Sequence, residues 1–201
     1  MLVAGIKSRP VYGGVTVDQN ARRHLFALEG EGALALTDEM ARAGNDFVGA
    51  ADILYVAAGS RAAAHDQALA ALDPDTFWQA PTIPVLLNRL DVMLSRADMG
   101  TRLYIAGTEG FIGLVVQVAL NHGIDYGSLR CEHRGSAARR VQCVHCKGIT
   151  ENVTTSPYAC THCGLSLLVR DHYSRRIGAF QGVNIDAEEP GTAPQPEELF
   201  P

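Results

Sequence analysis

Long apolar runs are missing from this chain of 201 residues. Its most apolar stretch, Phe111–Leu120, is far too short for a membrane-crossing helix, which takes about 20 residues, so no membrane partner is expected. Met1–Pro10 lack the basic start and apolar centre of a secretory signal, and a cytoplasmic location is the expectation. Cysteine is sparse: five in all, in a chain with no export signal, which argues against a disulfide framework. There is one tryptophan, Trp78, most simply a packing residue. No nucleophile, base and orienting group stand close together, so no catalytic residue is assigned.

Basic residues are absent from 182–201, which carry five acids. Residues 1–129 hold nine Lys/Arg against 14 Asp/Glu, a balance of −5, whereas 130–181 hold eight against three, a balance of +5. An acidic chain with acidic flanks repels phosphate at range, so nucleic acid is not the expected partner. A basic patch facing an acidic protein partner, or the chain's own acidic tail, fits better.

What is present, twice, is a short cysteine knuckle. Cys143-Val-His-Cys146 and Cys160-Thr-His-Cys163 share the C-x-H-C form and are separated by 13 residues. Two such pairs on a hairpin-length connector bring four thiolates to one point, the arrangement Zn²⁺ or a single iron requires. Gly148 and Gly164 follow the knuckles where the backbone is expected to turn. Four thiolates complete the shell, so His145 and His162 belong outside it.

Before the knuckles, strand and helix signals alternate. Strands are expected at His24–Leu28, Asp52–Ala57, Thr101–Ala106 and Ser128–His133. Helices are expected at Gly32–Ala43, Ser60–Leu72, about Pro84–Ala97 and Phe111–Asn121. Apolar strands alternating with helices indicate an α/β fold, a doubly wound parallel sheet covered on both faces. Short strands at Arg139–Gln142, Asn152–Thr155 and Leu165–Arg170 would frame the knuckles in a ribbon too poor in apolar residues to fold without its metal. The expected organisation is a sheet domain over 1–135, a four-cysteine ribbon over 139–181, and an extended acidic, proline-rich tail over 182–201.

Two resemblances follow from these stretches. The segments HLFALEGEGAL (24–34), ILYVAAGSR (53–61) and LYIAGTEGFI (103–112), with Glu132, resemble a nucleotide domain of the ferredoxin-reductase type. The likeness is degenerate: Glu29 and Glu31 flank the glycine loop that would cradle a pyrophosphate, where two carboxylates are repulsive. Ala106 and Thr108 stand where those reductases have cysteine and proline, and too little chain precedes residue 24 for a flavin domain. No cofactor-binding residue is assigned, and a retained scaffold is expected.

The segment CTHCGLSLLVRDHYSRRIGAFQGV (160–183), followed by Ala187-Glu188 and Pro190-Gly191, resembles the small DmmA-type subunit of bacterial dimethylamine monooxygenase. That resemblance implies an accessory subunit, non-catalytic alone, of an NADPH-dependent haem monooxygenase that oxidatively demethylates dimethylamine. Haem, FMN and a [2Fe–2S] centre would sit in partner subunits only: a haem-binding subunit and a flavin/iron–sulfur reductase subunit. A free-standing zinc-ribbon binding or regulatory protein is the other reading. Arg170, His172, Tyr173, Arg175 and Arg176, with Leu199 and Phe200, are the candidate partner-interface residues, since Arg and Tyr are enriched in interfaces. In that redox setting the metal is Zn²⁺ or a rubredoxin-type iron relay. Zinc is favoured because the connector is short and the polar loop Lys147–Ser156 has only Tyr158 nearby as aromatic packing.

Overall fold

Five consecutive residues of β1 (Arg23–Glu29), His24 to Leu28, are buried, a pattern open only to a strand covered on both faces. A computed structural model describes residues 8–201, which fall into two compact units. One spans Tyr12–Gly135; the other comprises Ser136–Pro201 with residues 8–11. No helix among the described residues is long and apolar enough to cross a membrane.

In the first unit β1 is followed by α1 (Ala33–Ala43), β2 (Ala51–Val56), α2 (Ala62–Ala70), β3 (Thr76–Ala80), α3 (Ile83–Leu94), β4 (Thr101–Gly107), α4 (Glu109–Asn121) and β5 (Arg130–His133). All pairings are parallel, in the order β3-β2-β1-β4-β5. The expected doubly wound sheet is present. Leu86, Leu90 and Leu94 of α3 pack with Phe111, Ile112 and Val115 of α4 over one face. Ala33 and Leu36 of α1, Leu69 of α2 and the extended residues Val15 and Val17 cover the other. Each Leu, Ile, Val or Phe side chain buried in this way contributes about 1.5–3 kcal/mol. Phe26 and Tyr104 stack at 4.6 Å in the centre of the second face.

β3 has no counterpart among the expected strands. Its residues are mostly half-buried, because it forms the sheet edge between two proline-marked turns, and its alternation is therefore weak. Trp78 lies on it, half-buried, with the Arg89 guanidinium 5.3 Å above its ring. Cys131 in β5 is 8 % exposed, and burial pushes its thiol up to about 12.

Strand order reverses between β1 and β4, where open α/β sheets have their ligand crevice. Here the crevice is bridged. The Glu29 carboxylate accepts from the Thr108 N–H at 3.0 Å and from its hydroxyl at 2.6 Å, while Thr108 caps α4 by accepting from the Phe111 N–H. A Cβ on Gly32 would lie 2.1 Å from the Ala106 carbonyl oxygen, so the β1–α1 turn is pressed against β4. Glu29 thus supplies the negative charge at the α4 N-terminus that an anionic ligand would otherwise bring.

The second unit contains β6 (Arg139–Cys143), β7 (Ile149–Val153), β8 (Thr155–Ser156), β9 (Tyr158–Ala159), β10 (Ser166–Ser174), β11 (Ala179–Asn184) and β12 (Glu197–Glu198). Its main sheet runs β7-β6-β11-β10-β9. β6–β7 and β9–β10 are antiparallel hairpins, and β11 lies between them, parallel to β6 and antiparallel to β10. The acidic tail does not leave this unit: β12 pairs with β8, and Phe200 is buried in the ribbon core.

Candidate metal centre

Each knuckle closes one hairpin. Cys143 ends β6 and Cys146 lies in the turn to β7; Cys160 and Cys163 occupy the turn from β9 to β10. Folding the hairpins onto one core brings all four Sγ atoms within 4.8 Å of one another. The Cys143–Cys163 and Cys146–Cys160 pairs are 3.9 and 3.8 Å apart. A tetrahedron with metal–sulfur arms of about 2.3 Å has edges of about 3.8 Å, so the cluster fits a tetrathiolate cation. Cys143 and Cys160 are buried; Cys146 and Cys163 are exposed.

The two knuckles repeat each other bond for bond. Lys147 and Gly164 donate N–H groups to the carbonyls of Cys143 and Cys160, at 3.0 and 2.9 Å. Cys143 and Cys160 in turn donate to Gly148 and Leu165, each at 2.9 Å. In both, the residue after the second cysteine has a left-handed backbone: Lys147 at φ 65° and Gly164 at φ 76°. This corrects the expectation for Gly148, since the turn is made by Lys147 at a position where a side chain costs about 1–2 kcal/mol. Gly148 is required for another reason. A Cβ there would lie 2.4 Å from Cγ and Cδ2 of His162.

His162 therefore links the knuckles. Its ring packs over Gly148, and Nε2 is 2.9 Å from the Ile149 carbonyl oxygen. His145 is exposed. Both stand outside the sulfur cluster. Burial opposes a thiolate at Cys160, but N–H groups of His162 and Cys163 outweigh it and bring its pKa down to about 7. The Leu165 N–H favours a thiolate at Cys163, yet burial and the neighbouring thiols raise it to about 12. Four thiolates so close together need a dication among them to offset their charge.

Beyond the cysteines, the candidate interface residues divide. Arg170, His172, Arg175 and Arg176 are exposed, while Tyr173 is half-buried with its ring 5.0 Å from Phe180. Leu199 is 47 % exposed, but Phe200 is only 5 % exposed and is taken up inside this chain. It reaches an arrangement with no signal in the sequence. The Arg139 guanidinium, 4 % exposed, lies 4.0 Å from the ring centres of both Phe180 and Phe200 and pairs with Asp171 at 2.7 Å. Desolvated cation–aromatic contacts of this kind are worth about 2 kcal/mol. A bulge in β10 between Arg170 and Tyr173 accompanies this pairing of Asp171, and the Ser8 hydroxyl donates to the Asp171 carbonyl and accepts from the Tyr173 N–H. The tail is fixed by N–H groups of Leu199 and Phe200 donating to the Thr154 carbonyl, and by the Pro201 carbonyl accepting from Ala137.

Comparison with known proteins covers both units. The family model for the N-terminal domain of the dimethylamine monooxygenase subunit DmmA-like proteins matches residues 4–129. The model for their C-terminal domain matches residues 140–183, which include all four cysteines. A heme-dependent oxidative N-demethylase delta subunit from Ectopseudomonas mendocina (strain ymp) is 33 % identical over 116 residues. The alignment takes in 58 % of this chain and 66 % of that protein, so just under two thirds of the relative is spanned. Among solved structures, an intact type IV self-sufficient cytochrome P450 monooxygenase is 19 % identical with a TM-score of 0.44, covering 68 % of this chain and 19 % of that one. The Flavohem-like FAD/NAD-binding domain of nitric oxide dioxygenase from Vibrio cholerae O1 biovar El Tor is 18 % identical with a TM-score of 0.40, covering 63 % and 56 %. With matches that together run through the doubly wound sheet and the four-cysteine ribbon, this chain belongs to the dimethylamine monooxygenase subunit DmmA-like family.

Proposed function

We propose that this chain is a non-catalytic accessory subunit of a haem-dependent oxidative N-demethylase acting on dimethylamine in the cytoplasm. Haem, FMN and the [2Fe–2S] centre would be carried by its haem-binding and reductase partners. The observation that carries this reading is the match of both family domains, in order, along one chain. The bridged crevice at Glu29 and Thr108 supports a scaffold role for the first unit, since its helix N-terminus already has a carboxylate.

Cys143, Cys146, Cys160 and Cys163 would hold a Zn²⁺ ion, which closes two hairpins into one ribbon and supplies folding energy. His162 would hold the second knuckle against the first through Gly148 and Ile149. The core cluster that holds Cys143 and Cys160 contains Phe180 and Phe200 beside Tyr158, so aromatic packing does not separate the two metals, and the short connector of 13 residues is what favours zinc over a rubredoxin-type iron.

A tagged full chain expressed in its native host tests the role. Recovery of haem and flavin/iron–sulfur subunits with one zinc per chain is the expected result. Recovery of the chain alone, with retardation of DNA or RNA at moderate salt, refutes the role in favour of a free-standing ribbon protein. One iron per chain, with a red absorption band that bleaches on reduction, keeps the subunit role and replaces the structural clip with an electron relay.

A further inference from the structure

The outer side of the ribbon carries a groove of about 480 Å³ beside the first knuckle. One wall is Gln142, Val144 and Lys147; the other is His172, Ser174 and Arg176 on the β10–β11 hairpin. No Asp or Glu lines it. The nearest acids on these strands are engaged elsewhere: Glu151 pairs with Arg140 at 2.7 Å, and Asp171 with the buried Arg139. Among the described residues Arg176 makes no hydrogen bond or ion pair, and the Lys147 ammonium touches only the Val144 carbonyl.

We propose that this groove receives an acidic segment of a partner subunit, whose carboxylates pair with Lys147 and Arg176. The inference rests on the accessory-subunit reading and deepens it. Charge sets the occupant: cations stand on both walls of a groove with no carboxylate of its own, which steers and orients an acidic chain. Rigidity supports it. Lys147 is held at φ 65° by the knuckle, and the turn carrying Arg176 is tied down by the Arg140 guanidinium on the Ile177 carbonyl. Less loop ordering then opposes binding. A single-stranded nucleic acid fits less well, because its bases stack on exposed aromatic rings. Phe180, the one Phe, Tyr or Trp lining this groove, is buried under Arg139. Val144 lies between Cys143 and Cys146, so the occupant would sit one residue from the metal ligands.

The test is the affinity of the purified, metal-loaded full chain for the purified haem-binding and reductase subunits at two salt concentrations. Lys147→Glu/Arg176→Glu is expected to weaken binding to one subunit about 10- to 100-fold at low salt and to flatten its salt dependence, with metal content unchanged. His172→Glu/Arg176→Glu, which leaves the knuckle untouched, should do the same and replaces the first pair if Lys147→Glu loses metal. Reversal at two exposed residues of the other unit, Arg61→Glu/Arg96→Glu, should change affinity less than about threefold. Wild-type affinity in both groove variants, or an equal loss in the control, overturns the groove and leaves the subunit role standing. If the wild-type chain binds neither subunit, the role fails and the groove's occupant with it. If the groove variants lose only binding of a 20-nucleotide DNA or RNA, the occupant is nucleic acid and the proposal is wrong.

Discussion

Adding one methyl group at Gly148 should weaken the metal site from outside it. The new Cβ would stand 2.4 Å from Cγ and Cδ2 of His162 and 2.9 Å from its Cβ, where ordinary contacts begin near 3.4 Å. The atoms struck lie at the root of the side chain, so rotation of the ring gives little relief. His162 has to retreat by about 1 Å, and it sits between Cys160 and Cys163. Sulfur pairs that now stand 3.8–3.9 Å apart across the knuckles would be pulled out of register. Overpacking of this kind costs about 1–3 kcal/mol. Because ribbon folding and metal binding are one equilibrium, that cost reads out as affinity, about 5- to 150-fold at 1.4 kcal/mol per decade. Competition with a chromogenic zinc chelator measures it for Gly148→Ala, His162→Ala and Gly148→Ala/His162→Ala as a cycle. Deleting the ring removes the 2.4 Å contacts and leaves the 2.9 Å one, but it also removes the Nε2–Ile149 hydrogen bond, so Gly148→Ala should cost much less on the His162→Ala background than on the wild type. Wild-type affinity in Gly148→Ala, or a Gly148→Ala penalty equally large with and without the ring, would refute the link between the knuckles.

Three further outcomes follow from the same geometry. Cys143→Ser or Cys160→Ser should abolish the ribbon's strand signal in circular dichroism and its amide protection, while 12–135 stay folded; a ribbon that keeps its protection without metal contradicts the energetics drawn here. Phe200→Ala removes one of two rings enclosing Arg139 and should cost about 3–5 kcal/mol, read as faster protease cleavage within 186–201 and an earlier ribbon transition; unchanged cleavage would mean the tail is not held by that ring. Burial keeps the pKa of His24 below its ordinary 6.5, so the unfolded chain takes up the proton first as pH falls. The contribution of His24 is then complete above about pH 6.5 and lost progressively below it, and His24→Asn should flatten the fall in urea midpoint of the first unit between about pH 7 and pH 5; an unaltered slope would assign that fall to other groups.

Those residues also show how far the sequence could be read. The doubly wound sheet was legible because burial on both faces leaves stretches such as Leu25–Leu28 uniformly apolar, a signal that survives without any partner in view. β3 was not, because an edge strand carries only half of that signal. The knuckles were legible from spacing alone, since four thiolates at C-x-x-C distances have few other uses. The site of the left-handed turn was misread. Glycine is the default at such a position, but Lys147 adopts it because the hydrogen bonds from Lys147 to Cys143 and from Cys143 to Gly148 fix the loop. Nothing in composition foretold that Arg139 would be enclosed by Phe180 and Phe200, since that contact joins residues 61 positions apart through an acidic tail with no hydrophobic pattern.

The order β7-β6-β11-β10-β9 puts the strand made last among these five in the middle of the sheet. On a growing chain both cysteine hairpins emerge before β11 exists, and until it arrives β6 and β10 have no strand between them to pair with. The four ligands are complete at residue 163, sixteen residues before β11 begins at Ala179. An ion captured at that stage would tether the hairpins at their turns and leave a slot between β6 and β10, open at the other end. β11 then has to enter a prepared gap. Synthesis, metal supply and sheet closure become ordered events, and a chain cut short within β10 would still bind its ion yet remain an unfilled clamp with two bare strand edges facing each other.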